Sequence, residues 1–220
     1  MRRPVLALAA CAVLASTAGA QTTSSDPGVA IIRNASRIYQ ALTGFQANFH
    51  LHTTDTRAGD SDGKGVLSQM GKSLFAMHFT DPPHDEIIMD GTRLWVYVPS
   101  SNPGQVLRFP IPAGPTYETN VLGWFLDNPI ERYRITFQRT ETLDRWVTDV
   151  VLLEPLSRDM QFRRAWLWID RDDGYPRRID TEDATGVKHS LQLSDVRANP
   201  AISPSVFVFT RPSGVKIIDQ

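Results

Sequence analysis

Short extended segments separated by turn residues constrain the fold of this 220-residue chain more than any other feature. Apolar and polar residues alternate from Phe45 to His52, the pattern of a strand with one face in water. Further extended segments, with turn signals between them, are predicted at 66–70, 73–80, 86–89, 92–98, 105–109, 133–139, 146–154, 164–170, 177–182, 188–196 and 206–209. This spacing predicts a meandering antiparallel sheet.

Three of these segments, 73–80, 92–98 and 164–170, carry apolar residues on both faces. A strand of a small antiparallel sheet normally leaves one face in water, so the second face needs a cover. One alternative is a sandwich corner or a sheet wedged between helices. The other is a thin, movable cover over a cavity, which would suit acyl chains because each buried CH₂ gains about 0.8 kcal/mol.

Two helices are predicted as covering elements. Asp26 and Pro27 mark the start of an amphipathic helix that Gly44 ends. Its apolar stripe consists of Ile31, Ala35, Ile38 and Leu42, and Ile32 and Tyr39 widen it. The second helix, over 119–127, lies in a Pro- and Gly-rich region at 110–129 and has Leu122, Phe125 and Leu126 on one face, so we interpret it as a candidate lid.

The first twenty residues predict a secretory signal peptide, with cleavage after Ala20. A lipidation site at Cys11 is the alternative, but the apolar run before it is short. Residues 21–220 would then form one domain without cysteine, which excludes disulfides, thiolate catalysis and cysteine–zinc sites. The net charge of −1 gives no support for nucleic-acid binding.

No catalytic motif accompanies this pattern. The chain has no G-x-S-x-G, no Gly-rich phosphate loop and no H-E-x-x-H. His50 and His52 share a strand face, but no third metal ligand is suggested nearby, so we expect two surface histidines. The acidic run at 170–174 is better explained as a hairpin turn than as a calcium loop. We therefore expect neither a metal nor a cofactor, and no enzyme, although a carboxylate pair assembled by the fold stays open.

Several blocks together resemble the periplasmic outer-membrane lipoprotein carrier family (LolA-like) along essentially all of 21–220. They are FQANF at 45–49, DGTRLWVYVP at 90–99, DATG at 183–186 and FVFTRPSGV at 207–215. The resemblance implies an unclosed, curved antiparallel β-barrel whose helices cover the concave face. It also implies a periplasmic monomer, without a cofactor, that takes lipoproteins by their acyl chains from an inner-membrane ABC transporter to an outer-membrane acceptor. The alternative role is a lipid- or lipoprotein-sensing regulatory domain of the same fold.

The resemblance also indicates which side chains would line an acyl-chain cavity. It implies Phe75 and Met77 at the mouth, Leu122 on the lid and Ile179 on the facing strand. The alternation of side chains between the two faces of each strand, and the apolar face of the lid helix, add further candidates: Leu94, Val96, Phe125, Leu126, Leu167 and Ile169. An error of one residue in register would replace the strand candidates with Trp95, Tyr97, Trp166 and Trp168.

One position departs from the family pattern. Members place Arg-Pro before the strand that contains Phe75, and the resemblance implies that this arginine holds the lid backbone. Here the corresponding residues are Gly71 and Lys72. Lysine lacks the guanidinium fork, so a weaker latch through Lys72, a latch through another residue and no latch are all open.

Overall fold

The computed structural model describes residues 26–111, 120–158 and 160–220. The predicted signal peptide, Cys11 and residues 112–119 of the predicted lid region lie outside the described residues. The described helices are α1 (Pro27–Gln40), α2 (Val121–Leu126), α3 (Pro129–Arg132) and a 3₁₀ helix (Pro204–Phe207). The strands are β1 (Gly44–Thr54), β2 (Ser61–Met70), β3 (Leu74–Asp81), β4 (Pro83–Asp90), β5 (Arg93–Tyr97), β6 (Gln105–Pro110), β7 (Tyr133–Leu143), β8 (Trp146–Pro155), β9 (Phe162–Asp170), β10 (Pro176–Asp183), β11 (Lys188–Ala198) and β12 (Lys216–Asp219).

The strands form one open twelve-stranded sheet in the order β12-β6-β5-β4-β3-β2-β1-β11-β10-β9-β8-β7. Its pairs are antiparallel except β12 with β6. The sheet therefore consists of two runs of sequential strands, β1–β6 and β7–β11, which meet where β1 pairs with β11. The predicted mainly-β fold with an unclosed, curved antiparallel sheet is confirmed.

The residues that share a buried cluster show that the sheet is curved. Phe75 on β3 and Leu167 on β9 belong to the same cluster, although five strand spacings separate their strands. A flat sheet would hold these strands roughly 24 Å apart. The sheet instead curls around α1 and α2, whose apolar side chains fill the space between its ends. We call this cluster on the concave face the inner cluster.

Helix α1 begins as its sequence predicts. The Asp26 carboxylate accepts a hydrogen bond from the Gly28 amide at 2.8 Å and another from the Phe137 amide on edge strand β7 at 2.7 Å. Ile32, Ala35 and Tyr39 form its buried stripe. The helix ends at Gln40 rather than at the predicted Gly44, because Gly44 already pairs with Met70 as the first residue of β1.

The convex face over β3–β5 is covered by the chain's own C-terminal segment, residues 199–215. Residues 206–209, predicted as extended, lie in and after the 3₁₀ helix, which Ser203 caps. Phe207 is 2% exposed and belongs to a small cluster with Ala76 and Ile88. The Phe209 ring stacks on Trp95 at 5.1 Å and meets Tyr97 edge-on at 5.9 Å, so the second face of β5 is sealed.

The strands differ from the sequence prediction most clearly at β2 and β12. Strand β2 begins at Ser61 rather than at the predicted residue 66, and its glycines allow close pairing. A Cβ on Gly65 would lie 2.0 Å from the His78 carbonyl oxygen, so glycine is required there. Strand β12 was not predicted, because its four residues gain their order only by pairing with β6.

Arginine side chains cover the convex face of β9. The guanidiniums of Arg139 and Arg178 lie 5.9 and 4.6 Å from the Trp168 ring centre, and Arg164 lies 5.4 Å from that of Trp166. Trp168 also donates its indole N–H to Glu141. Cation–π contacts and an ion-paired surface therefore cover the second apolar face of this strand.

Candidate functional site

Helices α2 and α3 lie between β6 and β7 in the chain, although β6 is second from one edge of the sheet and β7 forms the opposite edge. The apolar side chains of α2 belong to the inner cluster together with residues of β3 and β9. This packing places α2 over the interior of the half-barrel.

Helix α2 is short but has a capped start and one apolar face. The Asn120 side-chain oxygen accepts hydrogen bonds from the amides of Leu122 and Gly123 at 3.1 and 3.2 Å. Leu122, Phe125 and Leu126 are at most 2% exposed and belong to the inner cluster. The helix spans residues 121–126 within the predicted range of 119–127.

The structure brings most of the predicted cavity residues into the inner cluster. Its buried members include Phe75, Met77, Leu122, Phe125, Leu126, Leu167, Ile169 and Ile179. Leu94 is half-buried and packs against the cluster. Val96 is half-buried and lies between Ile87 and Leu107 in the sheet register. The side chains that a register error would have substituted, such as Trp95 and Trp168, lie on the convex face.

Lys72 contacts the C-terminal end of α2. Its Nζ atom donates to both carboxylate oxygens of Asp127, at 3.0 and 3.2 Å, and Asp127 is the residue that directly follows the helix. The lysine side chain is 63% exposed, whereas that of Asp127 is 14% exposed. The β2–β3 turn thus binds α2 through a side-chain carboxylate.

Three other side chains bind the backbone carbonyls of α2. Arg132 Nη1 and the Tyr133 hydroxyl donate to the Trp124 carbonyl at 2.7 and 2.6 Å. Ser36 on α1 donates to the Leu126 carbonyl at 2.7 Å. Burial raises the pKa of Tyr133 to about 12, so its hydroxyl keeps the proton it donates. Sequence reasoning missed all three, because nothing in the chain marks which carbonyls they reach.

A buried polar network binds the other end of α2. The Tyr39 hydroxyl accepts hydrogen bonds from Gln69 Nε2 at 3.1 Å and from Asn120 Nδ2 at 3.0 Å. Gln69 Nε2 also donates to the Gly71 carbonyl at 2.8 Å. The start of α2 is therefore joined to α1 and to the end of β2 by side-chain amides.

The sequence motifs considered for metals have partners of their own. His50 and His52 both contact Asp62 Oδ1, at 2.8 and 3.0 Å, and these hydrogen bonds lower the pKa of Asp62. Within the acidic turn after β9, Arg177 pairs with Asp170 at 2.6 Å and with Asp173. Among the described residues, no group of three or more His, Cys, Asp or Glu is arranged to hold a metal ion.

The fold and the site together define an open half-barrel with an apolar interior and a short helical cover. Within the described part of the chain, no helix is long and apolar enough to cross a membrane. The sequence model of the family described as outer membrane lipoprotein carrier protein LolA matches residues 40–210. The chain belongs to this family.

Individual relatives are similar at low identity. An outer-membrane lipoprotein carrier protein of Alkalilimnicola ehrlichii is 26% identical over 188 residues, which cover 83% of this chain and 81% of the relative. Another of Salmonella paratyphi A is 25% identical over 219 residues, 96% of each chain. The crystal structure of an uncharacterized conserved protein from Thermus thermophilus shares the fold, with a TM-score of 0.55, 12% identity and coverage of 87% of this chain and 99% of that one.

Proposed function

We propose that this protein is a periplasmic carrier that binds the acyl chains of lipoproteins between the concave face and α2. It would receive them from an inner-membrane ABC transporter and deliver them to an outer-membrane acceptor. The family membership supports this role, since its relatives bear the name of lipoprotein carriers. The observation that carries the proposal is the packing of α2, whose three buried apolar side chains belong to the inner cluster.

Burial energies favour displacement of α2 by an acyl chain. Exposing three large apolar side chains costs roughly 1.5–3 kcal/mol each. A 16-carbon acyl chain regains about 0.8 kcal/mol for each CH₂ that enters the interior, so full entry of one chain outweighs the loss. The apolar residues of the inner cluster, with Phe75, Met77 and Ile179 among them, are the side chains that we propose as the lining.

The Lys72–Asp127 pair suits a releasable latch. Ion pairs with an exposed partner contribute about 0–1 kcal/mol to stability, so this pair helps to hold α2 in place without preventing its release. The other ties are hydrogen bonds from Ser36, Arg132, Tyr133 and the Tyr39 network. Transfer then needs no cofactor and no bond-breaking step, only a successor whose cavity binds the acyl chains more favourably.

The test is release of a triacylated lipoprotein from spheroplasts by the purified protein, read as co-purification of the two. Phe75→Glu places a carboxylate in the inner cluster and should abolish release, because burial of an unpaired charge is unfavourable. Thr80→Glu is the matched control, since Thr80 is exposed on the same strand.

Two outcomes distinguish the roles considered above. If the wild-type protein neither co-purifies with lipoprotein nor binds fluorescent acyl probes, the carrier proposal is wrong. If it binds the acyl probes but releases no lipoprotein, the regulatory role as a lipid sensor becomes the better explanation.

A further inference from the structure

The end of the molecule at α3 exposes apolar side chains. Among the described residues, the large apolar side chains that stand out as exposed are Ile130, Val147, Leu156 and Val208, at 41% to 61%. Ile130 and Leu156 are close in space, because the Leu156 amide donates at 2.9 Å to the carbonyl of Arg132, two residues after Ile130. Single exposed apolar residues are common on soluble proteins, so the feature to explain is the proximity of these two.

A groove beside Ile130 contains two arginines. Helix α3 packs on α1, and Arg33, Arg37 and Ile130 are among the residues that line a groove of about 280 Å³ between the two helices. Arg33 and Arg37 lie one helical turn apart on α1, and both are exposed. Glu131 is the one carboxylate among the lining residues, so the groove is positively charged.

These two arginines differ from those on the convex face. Arg139, Arg164 and Arg178 each pair with a carboxylate at 2.6–3.1 Å. Neither Arg33 nor Arg37 has a carboxylate of the described residues within 4.0 Å, and Arg37 binds a neutral amide of its own helix. The whole chain has a net charge of −1, so this positive charge is a local feature that is available to an external anion.

We propose that the α3 end of the molecule docks on the surface of a bilayer that contains anionic phospholipid. Arg33 and Arg37 would bind the lipid phosphates, and Ile130 and Leu156 would insert among the headgroups. An anionic bilayer attracts cations to its surface and lets apolar side chains leave water, which is the combination that this end of the molecule offers. The inference goes beyond the proposed carrier function and does not depend on it.

The position of this surface has a consequence for α2. Helix α3 follows α2 after Asp127 and Asn128 alone, so the two helices are neighbours in the chain as well as on α1. A molecule docked through α3 would therefore hold α2, the proposed removable cover, beside the bilayer. Acyl chains could then pass between the membrane and the apolar interior over a short distance.

The test is flotation of the purified protein with vesicles in a density gradient. Vesicles of phosphatidylcholine are compared with vesicles of phosphatidylcholine and phosphatidylglycerol, at low and at high ionic strength. We expect flotation with the anionic vesicles at low ionic strength and weaker flotation at high ionic strength, because salt screens the attraction between exposed arginines and the bilayer. Vesicles of phosphatidylcholine alone should bind little protein.

Two variants assign the two parts of the surface. The double variant Arg33→Gln with Arg37→Gln should lower the partition coefficient for anionic vesicles by roughly fivefold for each arginine. Leu156→Ser should lower it about three- to tenfold, because one apolar side chain no longer inserts. The replaced side chains are exposed, so these variants should fold, which circular dichroism checks.

Matched controls separate the α3 surface from general effects of charge and hydrophobicity. Arg211→Gln with Lys216→Gln removes the same charge from exposed positions in the C-terminal segment and on β12, the edge strand opposite β7. Val208→Ser changes an apolar residue that is 61% exposed in the convex cover. Both controls should float like the wild type.

Absence of flotation with the anionic vesicles would contradict the bilayer surface and would favour a protein as the occupant of this end. An equal loss in the Arg211 and Lys216 double variant would contradict it too, because net charge alone would then explain binding. Binding of a fluorescent acyl probe in solution is measured separately. Probe binding without flotation would contradict the docking surface alone, whereas flotation without probe binding would contradict the carrier function alone.

Discussion

Both faces of the sheet have a cover, and the two covers are attached differently. On the convex side, the C-terminal segment runs between β11 and β12, and both strands are paired in the sheet. On the concave side, α2 lies between β6 and β7, which are also paired, and side-chain hydrogen bonds join it to the sheet and to α1. Both covers bury aromatic side chains, so we expect their polar contacts, not their hydrophobicity, to distinguish the proposed removable cover, α2, from the C-terminal segment.

The contacts of each cover support this contrast. Phe209 stacks on Trp95, and His78 Nε2 bonds to the Val206 carbonyl at 2.9 Å, so the convex cover is held along its length. The polar contacts of α2 are side-chain contacts: Asn120 meets Tyr39, Lys72 meets Asp127, and side chains of Ser36, Arg132 and Tyr133 reach helix carbonyls. Each of those contacts can be lost without breaking a strand pair.

The largest expected effect comes from Phe207→Ala. Its ring is fully buried beneath the permanent cover, so the free energy of unfolding should fall by about 3–5 kcal/mol in a urea titration. Val208→Ala is the control, because Val208 is 61% exposed and should change stability little. A loss of under about 1 kcal/mol would mean that the segment contributes little to the fold.

Phe125→Ala is the matched change on the concave side, where the ring is equally buried. The loss of global stability should be smaller, because it cannot exceed the free energy with which α2 docks onto the sheet. Hydrogen exchange should quicken in α2 while the strands stay protected. Equal losses for Phe125→Ala and Phe207→Ala would show that α2 is as permanent as the C-terminal segment.

A smaller effect is expected at the Lys72–Asp127 pair. Lys72→Ala should lower stability by less than about 1 kcal/mol, because the lysine is exposed, yet it should speed loading of an acyl probe. Lys72→Arg should load like the wild type. A double-mutant cycle with Asp127→Ala measures the coupling, and identical loading rates in all variants would rule out a latch at this pair.

The smallest effect concerns pH and the convex cover. The Glu86 carboxylate, 3.8 Å from the ring, raises the pKa of His78, since the folded state favours the protonated imidazole. The stabilisation of the folded state by the His78–Glu86 pair is complete below the ordinary histidine pKa. It is lost as the pH rises through the raised pKa of His78. The free energy of unfolding should therefore decline between pH 6 and 8, by about 0.5 kcal/mol or less at this half-exposed site. His78→Gln should remove that decline, and an unchanged pH profile would exclude the pair as its source.

The sequence predicted the sheet well because residue parity reports which way a strand side chain points. Phe75 and Ala76 are neighbours that lie in different clusters on opposite faces, as alternation requires. Parity does not say what covers a face. Residues 206–209 have the composition of a strand, but Ser203 and Pro204 start a 3₁₀ helix that places Phe207 over β3 and β4 instead.

The candidate site was less predictable because its polar contacts join distant parts of the chain. Tyr39 is 30 positions from Gln69 and 81 from Asn120. Lys72 was singled out only through the family pattern, and its partner Asp127 is 55 positions away. No local spacing encodes such pairs, because the folding of the sheet and the packing of α1 and α2 on it bring them together.

The order of strands has a consequence for how the molecule folds. The runs β1–β6 and β7–β11 each pair sequential strands, so each can grow by local hairpins. Pairing of β1 with β11 joins residues such as Phe49 and Leu193 and must await the distant strand. Each run carries only part of the inner cluster, so we expect the pairing of β1 with β11 to be a late step of folding that completes the interior.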